Sequence, residues 1–140
     1  MENKIKNLLL ENGAMMIGNN QLVVGMCAIR YSMNETTGAF ILDIIATPVE
    51  SRNSGEATKI MNILTLLSDQ TKQSIELTIA PIKKPKDGIG YFMKSDIVGN
   101  IARQTKNKIP VSKLKNWYKK FGFIENGLDN NRIKMIYIPE

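Results

Sequence analysis

Apolar side chains recur along this chain at two periods, and the switches between them predict the order of elements. In residues 3–10 (NKIKNLLL), Ile5, Leu8 and Leu9 fall on one helical face, and Gly13 offers a stop. Ala14–Ile17 and Gln21–Ser32 read as two strands joined by Gly18-Asn19-Asn20, residues that tolerate tight turns. Met33–Gly38 is polar and turn-like, and Phe40–Ala46 (FILDIIA) is a third, strongly apolar strand. After a loop rich in turn formers, Ala57, Ile60, Met61, Leu64 and Leu67 recur at helical spacing over Ala57–Thr71. Ser74–Ala80 is a fourth strand, stopped by Pro81, so strand, helix and strand make a βαβ unit with parallel pairing.

The pattern weakens over 82–110. A short helix there would turn Phe92, Ile97, Ile101 and Ala102 inward, against the cost of Gly99. Ser112–Phe121 is a clearer helix, with Ser112 as its cap, Leu114, Trp117 and Phe121 on one face, and Gly122 as its stop. Phe123–Glu125 and Lys134–Ile138 are strand-like pieces around a turn at Asn126–Asn131. No repeat or linker interrupts the 140 residues, which suit one domain over 1–140 with a single core.

Composition removes much of the catalytic repertoire. The chain has no histidine, so imidazole bases, Ser-His-Asp triads and His-ligated metals are excluded within it. Cys27 is the only cysteine, so no internal disulfide or cysteine metal cluster forms, and no metal is expected. Proton transfer falls to a carboxylate, a tyrosine, a lysine, the N-terminus or water. The first residues lack a signal-peptide layout, and no apolar run reaches the roughly 18 residues of a membrane span. The expectation is a soluble cytoplasmic protein with no membrane partner.

Charge is concentrated. The formal net charge is +6, yet residues 83–120 hold eleven basic and two acidic side chains, and the remainder is net negative. Such a segment suits a phosphate-bearing or acidic partner, or forms a solvated lysine face. Within it, the glycines, lysines and prolines of 83–110 favour a mobile acceptor-side flap over core, with Lys83, Lys84 and Lys86 as the first cations.

The most informative stretch is Arg52-Asn53-Ser54-Gly55-Glu56-Ala57, between an apolar strand and an amphipathic helix. The first amides of a helix lack intrahelical acceptors and carry the positive end of its dipole, and a glycine admits an anion close to the backbone. Arg52 and the Thr58 hydroxyl add donors. The spacing fits neither a GxxxxGK[ST] phosphate loop nor a GxGxxG dinucleotide fingerprint.

It does fit R/Q-x-x-G-x-G/A. Together with KLKNWYKKFGF, which ends Tyr-x-x-x-Gly-Phe, and the intervening SIELTIA strand, it resembles the GNAT superfamily of acetyl-CoA-dependent N-acetyltransferases from Leu22 to Pro139. The resemblance implies an α+β (α/β) fold: a mixed, mostly antiparallel central sheet flanked by helices, with a V-shaped splay between two parallel strands. It implies acetyl-CoA as co-substrate, its pyrophosphate on Arg52, Asn53, Ser54, Gly55, Glu56, Ala57 and Thr58. The pantetheine arm would run beside Ile45, Ala46, Thr47 and Val49. Tyr118 aligns with the family's general acid. Asp43, where many relatives have Glu, is the candidate base, with Glu76 and Asp129 as further carboxylates. The implied activity is transfer of acetyl to an amine acceptor, phosphate-rich or acidic if the lysines recruit it, by direct attack in a ternary complex. The alternative is a catalytically silent GNAT-like module that binds a protein or nucleic acid, and either form is compatible with a homodimer. Departures lie at Val111-Ser112, where the family often has Asn, and at Asn53-Ser54, which lacks a common cation that Lys119, Lys120 or a lysine of 83–86 would replace.

Overall fold

The computed structural model describes residues 2–47, 55–79, 98 and 110–140. Helix α1 (Lys4–Glu11) leads into β1 (Met15–Gly18), β2 (Gln21–Val24), β3 (Cys27–Met33) and β4 (Phe40–Ala46). Helix α2 (Glu56–Thr71), β5 (Ile75–Thr78), helix α3 (Val111–Lys119), β6 (Ile124–Asp129) and β7 (Arg132–Tyr137) follow. The strands form one sheet in the order β1-β2-β3-β4-β5-β7-β6. Only β4 and β5 pair in parallel; the other neighbours are antiparallel. This is the mixed, mostly antiparallel α+β sheet that the sequence motifs imply.

The expected strand over Gln21–Ser32 is in fact a hairpin. Gly25 takes a left-handed φ of +59° in a two-residue turn, and Val24 faces Cys27 across it. Unbroken hydrophobicity on both sides hides the turn, because only the conformational freedom of Gly25 marks it. At the other end, β6 is longer than expected. Asn130 and Asn131 both have positive φ, so the final hairpin closes in two residues. Ser112 does not cap α3. Pro110 stands at the cap position, in extended conformation, and its carbonyl accepts from Lys113 and Leu114. A proline that cannot continue helix backwards sets the start two residues earlier than a Ser112 cap would.

Alternation along the strands sorts side chains onto two faces. Leu22, Cys27, Ile29, Tyr31, Phe40, Leu42, Ile75, Leu77, Met135 and Tyr137 face α1 and α2 and join Ile5, Leu9, Ile60, Met61 and Leu64 in the main core. On the opposite face, Ala28 and Ala46 pack with Val98, and Ile17 and Ile44 flank them. Val98 is fully buried, and its backbone N–H donates to the buried Gln21 side chain at 3.0 Å. At that position the flap expectation gives way to core; Phe92, Ile97, Ile101 and Ala102, expected inward, lie outside the described residues. The other residues of 83–109, Lys83, Lys84 and Lys86 included, lie outside those described.

Two ties hold the elements around the site. Buried Gln73 accepts from the Ile5 amide at 2.8 Å and donates to the Gly38 carbonyl at 2.9 Å, joining α1 to the turn before β4. Tyr137 donates to Asp69 of α2 at 2.9 Å, and burial followed by that carboxylate raises its pKa to about 12. Gly122 closes α3 with φ +97°, and a Cβ there would meet the Tyr137 ring at 3.0 Å. Gly122→Ala is therefore expected to destabilise the fold by about 1–3 kcal/mol, read as a lower urea midpoint at unchanged m-value.

Candidate acetyl-transfer site

The site begins where β4 and β5 part. Their pairing consists of Phe40 with Ile75 and Ile41 with Glu76. Beyond that point Leu42–Ala46 stay on β3, whereas Leu77 and Thr78 stay on β7. Ile79 continues with β7 by donating to the Ile133 carbonyl at 2.8 Å. Among the described residues no strand fills the gap, so alternate backbone groups of β4 beyond Ile41 point into it. The expected V is present, with its lips at Ile41–Ala46 and Glu76–Ile79.

A β-bulge shapes one lip. The β3–β4 register pairs Arg30 with Ile44 and Tyr31 with Leu42, which leaves Asp43 as the extra residue. Bulges re-aim side chains and strengthen local twist. Asp43 keeps solvent contact and lies with Ser32 and Arg30. Partial desolvation raises its pKa, while the Ser32 hydrogen bond and the Arg30 charge pull the other way. Neither partner was evident from sequence, since only strand register brings them to Asp43.

At the far end of β4, the Thr47 hydroxyl and the buried Cys27 thiol stand 3.3 Å apart. Burial raises the Cys27 pKa, Thr47 opposes the rise, and the Glu56 charge adds to it. The electrostatic reach of Glu56 to Cys27 brings the start of α2 to the end of β4. Of the predicted site residues, Thr47 and Glu56 both act on Cys27. Ile45 packs against the main core and Ala46 against the smaller one. Val49, Arg52, Asn53 and Ser54 lie outside the described residues.

The start of α2 is the other part of the candidate site. Gly55 precedes the helix with φ +77°, and among the described residues nothing stands within 4 Å of where its Cβ would be and no side chain caps the helix. The first-turn amides of Glu56, Ala57 and Thr58 have no intrahelical acceptor. Glu56 opposes an anion there, but Lys59 offsets its charge at 3.2 Å. These residues fit a pyrophosphate group. Among the described residues, no three of His, Cys, Asp and Glu gather as metal ligands, and no helix is long and apolar enough to cross a membrane.

Tyr118 belongs to α3 and sits on the helix-bearing side. Its ring makes edge contacts to Trp117 at 5.0 Å and Phe123 at 6.0 Å. Burial pushes its pKa up to about 12. Asp43 lies with the side chains of the opposite face. The gap between β4 and β5 is the one break in the sheet, among the described residues, that joins the two sides. Asp129 is exposed in the β6–β7 hairpin, at the sheet edge and apart from the gap.

No protein-family profile matches the chain, and no curated protein matches it by sequence. Its fold is similar to the solved structure of nourseothricin acetyltransferase, at 11% identity and a TM-score of 0.49, covering 86% of this chain and 64% of that one. It is also similar to Ard1 from Thermoplasma volcanium, at 15% identity and a TM-score of 0.48, covering 86% of this chain and 71% of that one.

Proposed function

We propose that this chain is an N-acetyltransferase that moves acetyl from acetyl-CoA to an amine acceptor in a ternary complex. The observation that carries the reading is the gap between β4 and β5 next to an uncapped helix start. A strand edge with free amides and carbonyls suits the amide-bearing pantetheine arm, and the α2 amides suit the pyrophosphate.

In this reading the acceptor nitrogen attacks the thioester carbonyl. A C–N bond forms, the C–S bond breaks, and the electron pair leaves with sulfur. The nitrogen loses a proton to Asp43, directly or through water, and the Tyr118 hydroxyl donates to the departing thiolate. Acid and base approach from opposite sides of the sheet, which separates the two proton transfers. Holding both reactants in the gap supplies the remaining advantage, by making attack intramolecular.

Two measurements test this. Millimolar acetyl-CoA should raise the melting temperature, and acceptor amines should accelerate release of free CoA thiol. Absence of any thermal shift would sink the reading, and a shift without turnover would favour the silent binding module.

The pH profile tests Asp43. The residue accepts a proton only when ionised, so the rate should fall as pH drops through its raised pKa. Ser32 donates to the ionised form, and Ser32→Ala should move that acid limb to higher pH. Asp43→Asn should lower kcat and remove the limb. An unmoved limb in Ser32→Ala would assign the base elsewhere.

A further inference from the structure

We propose that Glu76 and Asn34 form the seat of a protonated aliphatic amine, on the face of the sheet that carries Asp43. As an assignment of the acceptor site, this rests on the acetyltransferase reading; as a binding site, it stands on the residues alone.

Glu76 is only 8% exposed and lies at the apex of the gap, where it pairs with Ile41 on one side and Ile136 on the other. Ser32 pairs with Ile41 in the same row, so this is the face on which Ser32 meets Asp43. One Glu76 oxygen accepts from the Asn34 side-chain amide at 3.0 Å. The orientation of Asn34 is settled by its other end, where Oδ1 accepts from the Thr36 and Thr37 amides at 3.0 and 3.2 Å. Its amide nitrogen is therefore the end that faces Glu76.

Among the described residues, that neutral amide is the only hydrogen-bond donor to Glu76, and none of them forms an ion pair with it. A carboxylate this enclosed is costly without a charged partner. Among the described residues no donor reaches its second oxygen. Ile41 and Ile136, both partly buried, flank it in the row. A carboxylate between two aliphatic walls matches an ammonium on an alkyl chain: the head supplies up to three donors, and the chain covers the isoleucines. A neutral alcohol of the same shape would leave the charge uncompensated. Asp43 lies two positions along β4 from Ile41, so an amine seated on Glu76 stands at the apex of the gap, on the side of Asp43.

The test uses the full chain with glutamate side chains labelled at the carboxyl carbon, titrated with n-butylammonium and, separately, with n-butanol. The Glu76 carboxyl signal and the Asn34 side-chain amide should shift saturably with n-butylammonium and not with n-butanol. Glu76→Gln keeps an acceptor for Asn34 but removes the charge, and should raise the apparent Kd read at Asn34 about tenfold or more. Should that variant fail to show a cooperative melt, Glu76→Asp, which keeps the charge but retracts it, should weaken binding in the same direction. No saturable shift, an equal response to n-butanol, or an unchanged Kd in the folded variant would overturn the seat. Thermal stabilisation by acetyl-CoA is read in parallel. Its absence would remove the acetyltransferase reading and leave the ammonium seat to be judged by its own titration, whereas acetyl-CoA binding with no response at Glu76 would remove the seat alone.

Discussion

Tyr118→Phe is expected to lower kcat by roughly 10²–10⁴, with little change in acetyl-CoA affinity. The substitution keeps the ring and its edge contacts to Trp117 and Phe123 and removes only the hydroxyl. With its pKa pushed up to about 12, the phenol stays protonated throughout the neutral range. A phenol of that strength does not drive full proton transfer to a thiolate, whose conjugate thiol titrates near ~8.5. The contribution expected of it is donation to charge as it develops on sulfur. The same shift sets the alkaline behaviour: ionisation of Tyr118 produces no falling limb until well above pH 10. A limb at pH 10 that vanishes in Tyr118→Phe would show that the hydroxyl is less enclosed than its pKa implies. An unchanged kcat would assign protonation of the thiolate to solvent.

Gly55→Glu is expected to abolish stabilisation by acetyl-CoA, a loss of about 2.7 kcal/mol at a ligand concentration ~100 times Kd. The glutamate would add a carboxylate to an anion site that already bears Glu56, and Lys59 has charge to offset only one of them. Strain contributes separately, because φ at Gly55 is +77°. Gly55→Ala isolates that part: with open space around the new Cβ, it should cost the free protein about 1–2 kcal/mol and retain acetyl-CoA binding. If Gly55→Glu melts higher with acetyl-CoA, as the wild type should, the pyrophosphate does not lie on this helix start.

Much of the architecture is legible in the local pattern. Phe40–Ala46 comes through as an apolar run bounded by turn residues, and the α2 stripe of Ile60, Met61, Leu64 and Leu67 because burial of one face imposes a helical period. The glycine before α2 is legible for a related reason: a strand-to-helix turn with a left-handed residue leaves few alternatives to Gly. Tyr118 is legible only through its motif, since nothing in its own neighbourhood separates a packed aromatic from an acid. The Gly25 turn was lost because apolar residues flank it on both sides, so periodicity carried no interruption there.

The sequence by itself determines the order of most strands and helices and that the chain contains no imidazole, and it predicts an anion site at the glycine-headed helix. These follow from periodicity, composition and backbone freedom, all properties of neighbours in the chain. Only the tertiary structure decides that β4 and β5 separate after two residue pairs, that a bulge turns Asp43 toward Ser32, and that Asn34 reaches Glu76 across 42 positions of sequence. Strand register makes each of these choices. A shift of one residue would send Asp43 and Glu76 to the other face, and register is set by how the whole sheet buries its apolar side.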